Sequence, residues 1–374
     1  MRLLFCLLLF TSFTFAQKYN IKDYGANGNG SFDNSTAIQK AIADIKTKNG
    51  KKSSILYIPA GNYLISQPII LNKYVSIEGE GTGISVIKVS TNNSEGIILE
   101  DNKNEKDIYQ GYNTINNLSI LGPDFDKNPY SWKDIKQNNP KSVGIKVLGL
   151  RNRISNCIID GFLWSGIQIE GSYYNYITQN FIKNNRIGIT IDKNSTSAYI
   201  NNNELRINSI GLLIQDNSYA NFINNNMIES NLAHFLDPDK SEKDPEILTA
   251  GKGIVIINSF NNYVENNYFE QHFTNIVLKN AKDNIFNSNF IALGNLMPEY
   301  SKNQNILRFE GKITNNVFSN NTVMGSNENI NTNKMILSNT EDYSTNKLDF
   351  GKAKNDRIKI ELKKSLNNKL PQIP

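Results

Sequence analysis

The sequence predicts an all-β fold, a right-handed single-stranded parallel β-helix with a capping helix near its amino terminus. Three observations predict it. Isoleucines 154, 177, 200 and 223 recur every 23 residues, each in a similar phrase: RISNCII, YITQNFI, YINNNEL and FINNNMI. Each period holds two alternating apolar runs, the second opening on glycine, as in Gly166-Ile167-Gln168-Ile169 and Gly188-Ile189-Thr190-Ile191. An asparagine follows three residues after each heading position, at Asn180, Asn203, Asn226, Asn267, Asn289 and Asn320. A fixed short period means stacked units that bury their apolar faces on one another. The period-two alternation of β-branched residues is strand grammar. Amides stacked at one turn can hydrogen-bond from coil to coil, which rewards parallel, in-register stacking. A leucine-rich repeat would instead show dominant leucine and one strand per unit.

Along the chain, residues 1–16 read as a secretory signal peptide. Arg2 supplies the charge, Leu3 to Phe10 the apolar run, and Thr14-Phe15-Ala16 the small-residue exit, too short to span a bilayer. The chain is therefore expected to be exported, extracellular or periplasmic. Of two cysteines, Cys6 would leave with the signal, and Cys157 sits in an apolar strand as an inert buried thiol. One cysteine makes no internal disulfide, so a packed core must carry stability.

Residues 17–112 form the cap and first coils. In DNSTAIQKAIADI, an N-cap at Asn34 or Ser35 precedes Ala37, Ile38, Ala41, Ile42 and Ile45 on one helical face. SILYIPAGNYLIS and YVSIEGEGTGISVIKV follow as strands broken at Pro-Ala-Gly and Gly-Glu-Gly. The helix would cover the open end of the solenoid, where exposed strand edges invite aggregation. The coils proper occupy residues 113–330, with copies of the phrase headed by Ile115, Val264, Phe286 and Val317. Residues 331–374 drop the repeat and form a tail that packs on or caps the helix.

The stretch DYGANGNGSFDNSTAIQKAI, with LYIPAGNYLIS and VSIEGEGTGISVI, resembles the opening of the pectate-lyase-superfamily domain shared by rhamnogalacturonases, epimerases and phage tailspikes. The resemblance runs from Tyr19 to Val89, with the later coils similar in style. It implies the fold and says little about chemistry, because this motif builds the cap. Where the family pattern has Asp-Asp-Thr, this chain has Asp33-Asn34-Ser35-Thr36. The polygalacturonase set of Asn-Thr-Asp, paired Asp-Asp and Gly-His-Gly is absent from the coils, so those catalytic residues do not carry over.

The repeat stacks side chains by arithmetic. The inward residues Ile159, Ile182, Leu205, Ile228 and Phe269 are each followed by one that must point outward: Asp160, Lys183, Arg206, Glu229 and Glu270. His272, two residues past Glu270, is expected on the same side. Insertions at 122–141, 233–250 and 294–303 all leave from the turn beyond this column and would wall a groove along it. Trp132, Tyr130, His234 and Tyr300 ride on or beside them, and Trp164 lies on the same turn. Asp160, His272, Trp164, Trp132 and Tyr300 are thus candidate substrate-binding residues, the aromatic ones as stacking faces for sugars.

Lys183, Arg206, Glu229 and Glu270 are the candidate catalytic residues. In a first reading the protein is a polysaccharide lyase that cleaves a uronate-containing glycan by β-elimination. Glu229 and Glu270, with Asp160, would hold Ca²⁺ against the sugar carboxylate, and Arg206 or Lys183 would take the C5 proton. In a second it is a glycoside hydrolase with Glu229 and Glu270 as its carboxylate pair, about 5 Å apart on adjacent coils, the spacing of a retaining enzyme. A wider, inverting pair would use Asp160, Asp237 or Asp239 with Glu270. In a third it binds glycans without cleaving them. The formal charge of +5 comes without a run of basic residues, which argues against nucleic acid as a partner. No later stretch is apolar enough to cross a membrane. Outward positions of the second strand grow apolar along the helix, at Gln168, Thr190, Leu213, Val255 and Val277. The tail or a neighbouring subunit in a homotrimer would cover that strip.

Overall fold

The computed structural model describes residues 16–90, 95–101, 112–126, 141–232, 251–293, 304–325, 335–338, 345–350 and 352–353. The signal-peptide reading of residues 1–16 lies outside them but for Ala16. So do residues 127–140 of the 122–141 insertion and the insertions at 233–250 and 294–303, which together carry Tyr130, Trp132, His234, Asp237, Asp239 and Tyr300.

Among the described residues the chain winds through three parallel sheets of 12, 12 and 10 strands. A typical coil gives a short strand to the first sheet (Arg153–Ser155), another to the second (Ile158–Asp160) and a longer one to the third (Ser165–Glu170). The winding is right-handed, as parallel crossovers demand. A typical strand sends one or two apolar side chains inward. Ile154, Ile177, Ile200, Ile223, Val264, Phe286 and Phe318 form one such column, fully buried.

A left-handed residue turns the chain from the first sheet to the second: Asn156, Gln179, Asn202, Asn225, Asn266, Ser288 and Asn320 all have positive φ. Asparagine tolerates this region better than most residues with a Cβ. The next residue falls inward and builds the ladder. Asn203 Oδ1 accepts from the Asn180 backbone N–H and amide, both at 3.0 Å, while Asn203 Nδ2 donates to Ile177 O and Asn226 Oδ1. The expected last rung is corrected here. Asn289 donates to Asn321, and Asn320 is the turn residue. The heading position of that coil is Phe318, stacked on Phe286 at 4.4 Å, and Val317 faces outward. A one-residue slip exchanges the two faces of a strand. Cys157 occupies a ladder position as a fully buried thiol, and burial pushes it up to about 12.

Helix α1 (Ser35–Asn49) stands where the first coil would give its third-sheet strand. Gln17–Asn20 belongs to the first sheet and Asn29–Asp33 to the second, but the third starts only at Ile69–Leu71. The helix therefore plugs the core with Ala37, Ile38, Ala41, Ile42 and Ile45, all buried. Asp33, not Asn34, holds its first turn. The Asp33 carboxylate accepts from the Ser35 N–H and hydroxyl and from Ser66. Burial pushes this carboxyl up, but those hydrogen bonds win and hold it at about 2. Asn34 instead ties the turn together, accepting from Asn27 N and donating to Phe32 O and Leu64 O.

The repeat continues past residue 331. Ile336–Ser338 pairs with the third sheet, Lys347–Leu348 with the first and Lys352–Ala353 with the second. The weak apolar pattern there had concealed a further coil. On the outer face of the third sheet, Ile187, Ile210, Leu213, Val255 and Val277 form a second apolar cluster, fully buried within the single chain. That strip therefore presents no bare apolar surface for a second subunit. Among the described residues no helix is long and apolar enough to cross a membrane.

Candidate functional site

On the second sheet, Asp160, Lys183, Arg206, Glu229 and Glu270 stand in register on consecutive coils, followed by Ala292. The short strands position them: a buried central residue fixes each strand, so the residue after it projects outward. Neighbours in such a column are about 4.8 Å apart.

The charges pair along the column. Lys183 Nζ lies 3.4 Å from Asp160, which also accepts from Asn184 Nδ2 at 2.9 Å. Asp160 is only 5% exposed. Burial pushes its carboxyl up, and Lys183 and Asn184 pull against that. Arg206 bridges Glu204 of its own strand at 2.9 Å and Glu229 of the next coil at 3.3 Å. Glu270 accepts from the Tyr268 hydroxyl. Burial and that hydrogen bond push the phenol up. Glu229 and Glu270 therefore form a pair of carboxylates, one held by a guanidinium and the other by a phenol.

His272 is corrected. It is fully buried and does not share the outer face with Glu270. Gln271 between them has φ 58, a left-handed turn that breaks the alternation and swings the next side chain inward. Asn184, Ile207 and Ser230 do the same on earlier coils, so Asn185, Asn208 and Asn231 form a second inner ladder. His272 ends it, 3.0 Å from Asn231 and 3.1 Å from Asn275. The imidazole is structural and cannot meet a substrate.

Trp164 lies half-buried at the corner between the second and third sheets, its ring under the Arg186 guanidinium at 5.0 Å. Trp132 and Tyr300 lie outside the described residues. The described coils break between residues 126 and 141, 232 and 251, and 293 and 304. Each of these gaps in description follows a second-sheet strand and precedes a third-sheet strand, the corner at which Trp164 stands on its own coil. Tyr176, Tyr199, Phe222 and Tyr263 make an aromatic row on the first sheet, but they stack on one another at 4.9–5.0 Å and within 5–8° of parallel. Arg153 covers the end ring at 4.7 Å. Their faces are occupied, which makes this row a structural stack rather than a sugar platform.

The outer face of the third sheet holds titratable groups that the repeat arithmetic missed. Asp192 is 4% exposed, and burial pushes its carboxyl up to about 6. Burial likewise pushes the Lys252 ammonium down to about 7. One signal was available: Lys252 opens a strand whose neighbours on adjacent coils are Ile210 and Thr274, so a charge stands in a register of uncharged residues. For a cation, the described donors are few. Among the described residues no three His, Cys, Asp or Glu side chains converge. Glu229 and Glu270 have each already engaged a donor, whereas Ca²⁺ takes six to eight oxygens.

Three outer faces on a coiled parallel sheet define the class, a pectate-lyase-like right-handed β-helix. The chain belongs to the family described as rhamnogalacturonase A/epimerase, pectate lyase-like, which matches residues 18–234. It is similar to a probable glucan endo-1,3-β-glucosidase of Arthroderma benhamiae, at 36% identity over 26% of this chain and 12% of that protein. It is also similar to alginate lyase 7 of Azotobacter vinelandii, at 39% identity over 19% of this chain and 9% of that protein. This chain thus spans only a small part of the length of the curated relatives it matches. Among solved structures, the A-module of an Azotobacter vinelandii mannuronan C-5 epimerase superposes with TM-score 0.62 at 16% identity, covering 95% of this chain and 97% of that one. At that identity the likeness shows the fold alone.

Proposed function

We propose that this protein is an exported polysaccharide-cleaving enzyme working on the outer face of the second sheet, with Glu229 and Glu270 as its catalytic carboxylates. The observation that carries the reading is their in-register pairing on adjacent coils, one beside Arg206 and the other beside Tyr268. A side-by-side pair about 5 Å apart suits a retaining glycoside hydrolase. Glu229, 3.3 Å from the Arg206 guanidinium, would be the nucleophile. Glu270 would then protonate the leaving oxygen.

β-Elimination fits the geometry less well. Its base would be Lys183 or Arg206, and both are engaged, Lys183 with Asp160 and Arg206 with Glu204 and Glu229. Neither side chain is left free to take a proton, and arginine gives one up with difficulty even alone. Relatives named as a glucosidase and a lyase support action on polysaccharide and leave both chemistries in play.

The test is incubation of the purified protein with pectins, alginate, glycosaminoglycans and neutral glucans, with calcium or with EDTA. Reducing ends and ultraviolet absorbance are followed together. Reducing ends without absorbance, lost in Glu229→Gln and Glu270→Gln, support hydrolysis. Growth of both signals, abolished by EDTA, would replace it with metal-assisted elimination. Binding with neither signal would leave a glycan-binding protein.

A further inference from the structure

The cations on and beside the proposed site are not equivalent. Lys183 is paired with Asp160, and Arg206 with Glu204 and Glu229. Arg186, three residues beyond Lys183 in the same coil, has no carboxylate partner among the described residues. Its Nε is buried without a hydrogen bond, and the contact its guanidinium makes is with the Trp164 ring at 5.0 Å. Burial alone pushes its pKa down.

Backbone hydrogen bonds fix where this pair sits. Ile187 N donates to Trp164 O, and Ser209 and Ile210 donate to Arg186 O, so Trp164, Arg186 and Ser209 are corner positions on successive coils. Gly251 N donates to Ser209 O on the coil after. The pair therefore stands at the corner between the second and third sheets, next to the charged column. A partly desolvated cation without an acceptor is costly, and an indole ring 5.0 Å from the guanidinium supplies no oxygen to its N–H edges. Those edges match the planar oxygens of a carboxylate, or two oxygens of a sulfate.

We propose that Arg186 and Trp164 form an anion subsite, in which the guanidinium receives the carboxylate or sulfate of an acidic sugar unit and the indole backs the guanidinium. The inference rests on the polysaccharide reading and deepens it: the substrate is an acidic glycan, whose charged group docks at the corner while a neighbouring linkage lies over Glu229 and Glu270. The subsite needs no metal. Lys183 and Arg206 keep their carboxylates, and Arg186 supplies the uncompensated charge.

The experiment is calorimetric titration of the full chain with oligomers of galacturonate, alginate, hyaluronan and chondroitin sulfate. Carboxyl-reduced galacturonate and laminarin serve as neutral controls. We expect saturable binding of an acidic oligomer, weakened roughly ten- to a hundredfold in Arg186→Gln and less in Arg186→Lys, which keeps charge but not the fork. Thermal melts confirm that both variants fold. Preference for chondroitin sulfate over unsulfated hyaluronan identifies sulfate as the group bound, and the reverse identifies carboxylate. Equal binding of acidic and neutral oligomers, no acidic binding at all, or wild-type affinity in folded Arg186→Gln would each overturn the subsite. Cleavage of a neutral glucan without acidic binding sinks the subsite and leaves the hydrolase standing. Acidic binding lost in Arg186→Gln, with no product, sinks the enzyme and leaves the subsite.

Discussion

His272 Nε2 lies 3.0 Å from Asn231 Nδ2, inside the coils, where the imidazole completes a ladder of asparagines. Because Asn231 donates, Nε2 must accept, and Nδ1–H donates to Asn275 Oδ1. The ring is neutral. Burial, with Lys252 adding to it and Asn275 opposing, holds its pKa at about 4. Unfolded histidine titrates near 6.5, so between that pH and about 4 the unfolded chain binds the extra proton. Stability is therefore full above about pH 6.5 and falls as pH drops through the window. His272→Asn, which keeps an amide at the end of the ladder, is expected to flatten the melting temperature between pH 7 and 4. The effect is up to ~3 kcal/mol. An unchanged pH profile would count against the buried neutral ring.

Asp192 acts in the opposite direction. Its folded carboxyl keeps a proton to about pH 6, raised first by burial, with Glu170 and Asp216 adding and Gln168 and Lys193 opposing. Unfolded, it loses that proton near 4. Stability contributed here falls as pH rises from 4 to 6 and stays lower above. Asp192→Asn, which still accepts from Gln168, should raise stability by ~1–3 kcal/mol at pH 7 and have little effect at pH 4. Denaturant melts at both pH values decide it.

The asparagine ladder should be cooperative. Asn203 is 2% exposed, and Asn203→Leu leaves Ile177 O and the Asn180 N–H and amide short of partners in a dry interior. A loss of ~2–5 kcal/mol is expected. Thr178→Ala, at an outward position of the first sheet, should cost well under half of that in the same unfolding assay.

If Glu229 and Glu270 carry the chemistry, each Gln variant alone should lower product formation by ~10³-fold, and the double variant by little more, because groups acting as a unit are not additive. Melting temperatures should stay near wild type. Independent losses that multiply in the double variant would argue that the two side chains act separately.

Much of this was legible because one physical rule, a coil of fixed length with alternating faces, applies residue by residue. It places Ile154 over Ile177, and it aligns Asp160, Lys183, Arg206, Glu229 and Glu270 without coordinates. It fails where the backbone departs from the rule. At Gln271 one left-handed residue turned His272 inward, and at Phe318 a shift of one position moved the last rung from Asn320 to Asn321.

By itself, then, the sequence determined the coil period, the inward columns, the plugging helix and the row of charges on one face, since each depends on local spacing and on which side chains leave water. Only the tertiary structure decided how those charges are spent. Which carboxylate neutralises Lys183, which holds Arg206, and that Arg186 meets an indole instead of an acid are relations between neighbouring coils. Side-chain reach and burial settle them at a scale of a few ångströms, where sequence spacing carries no information.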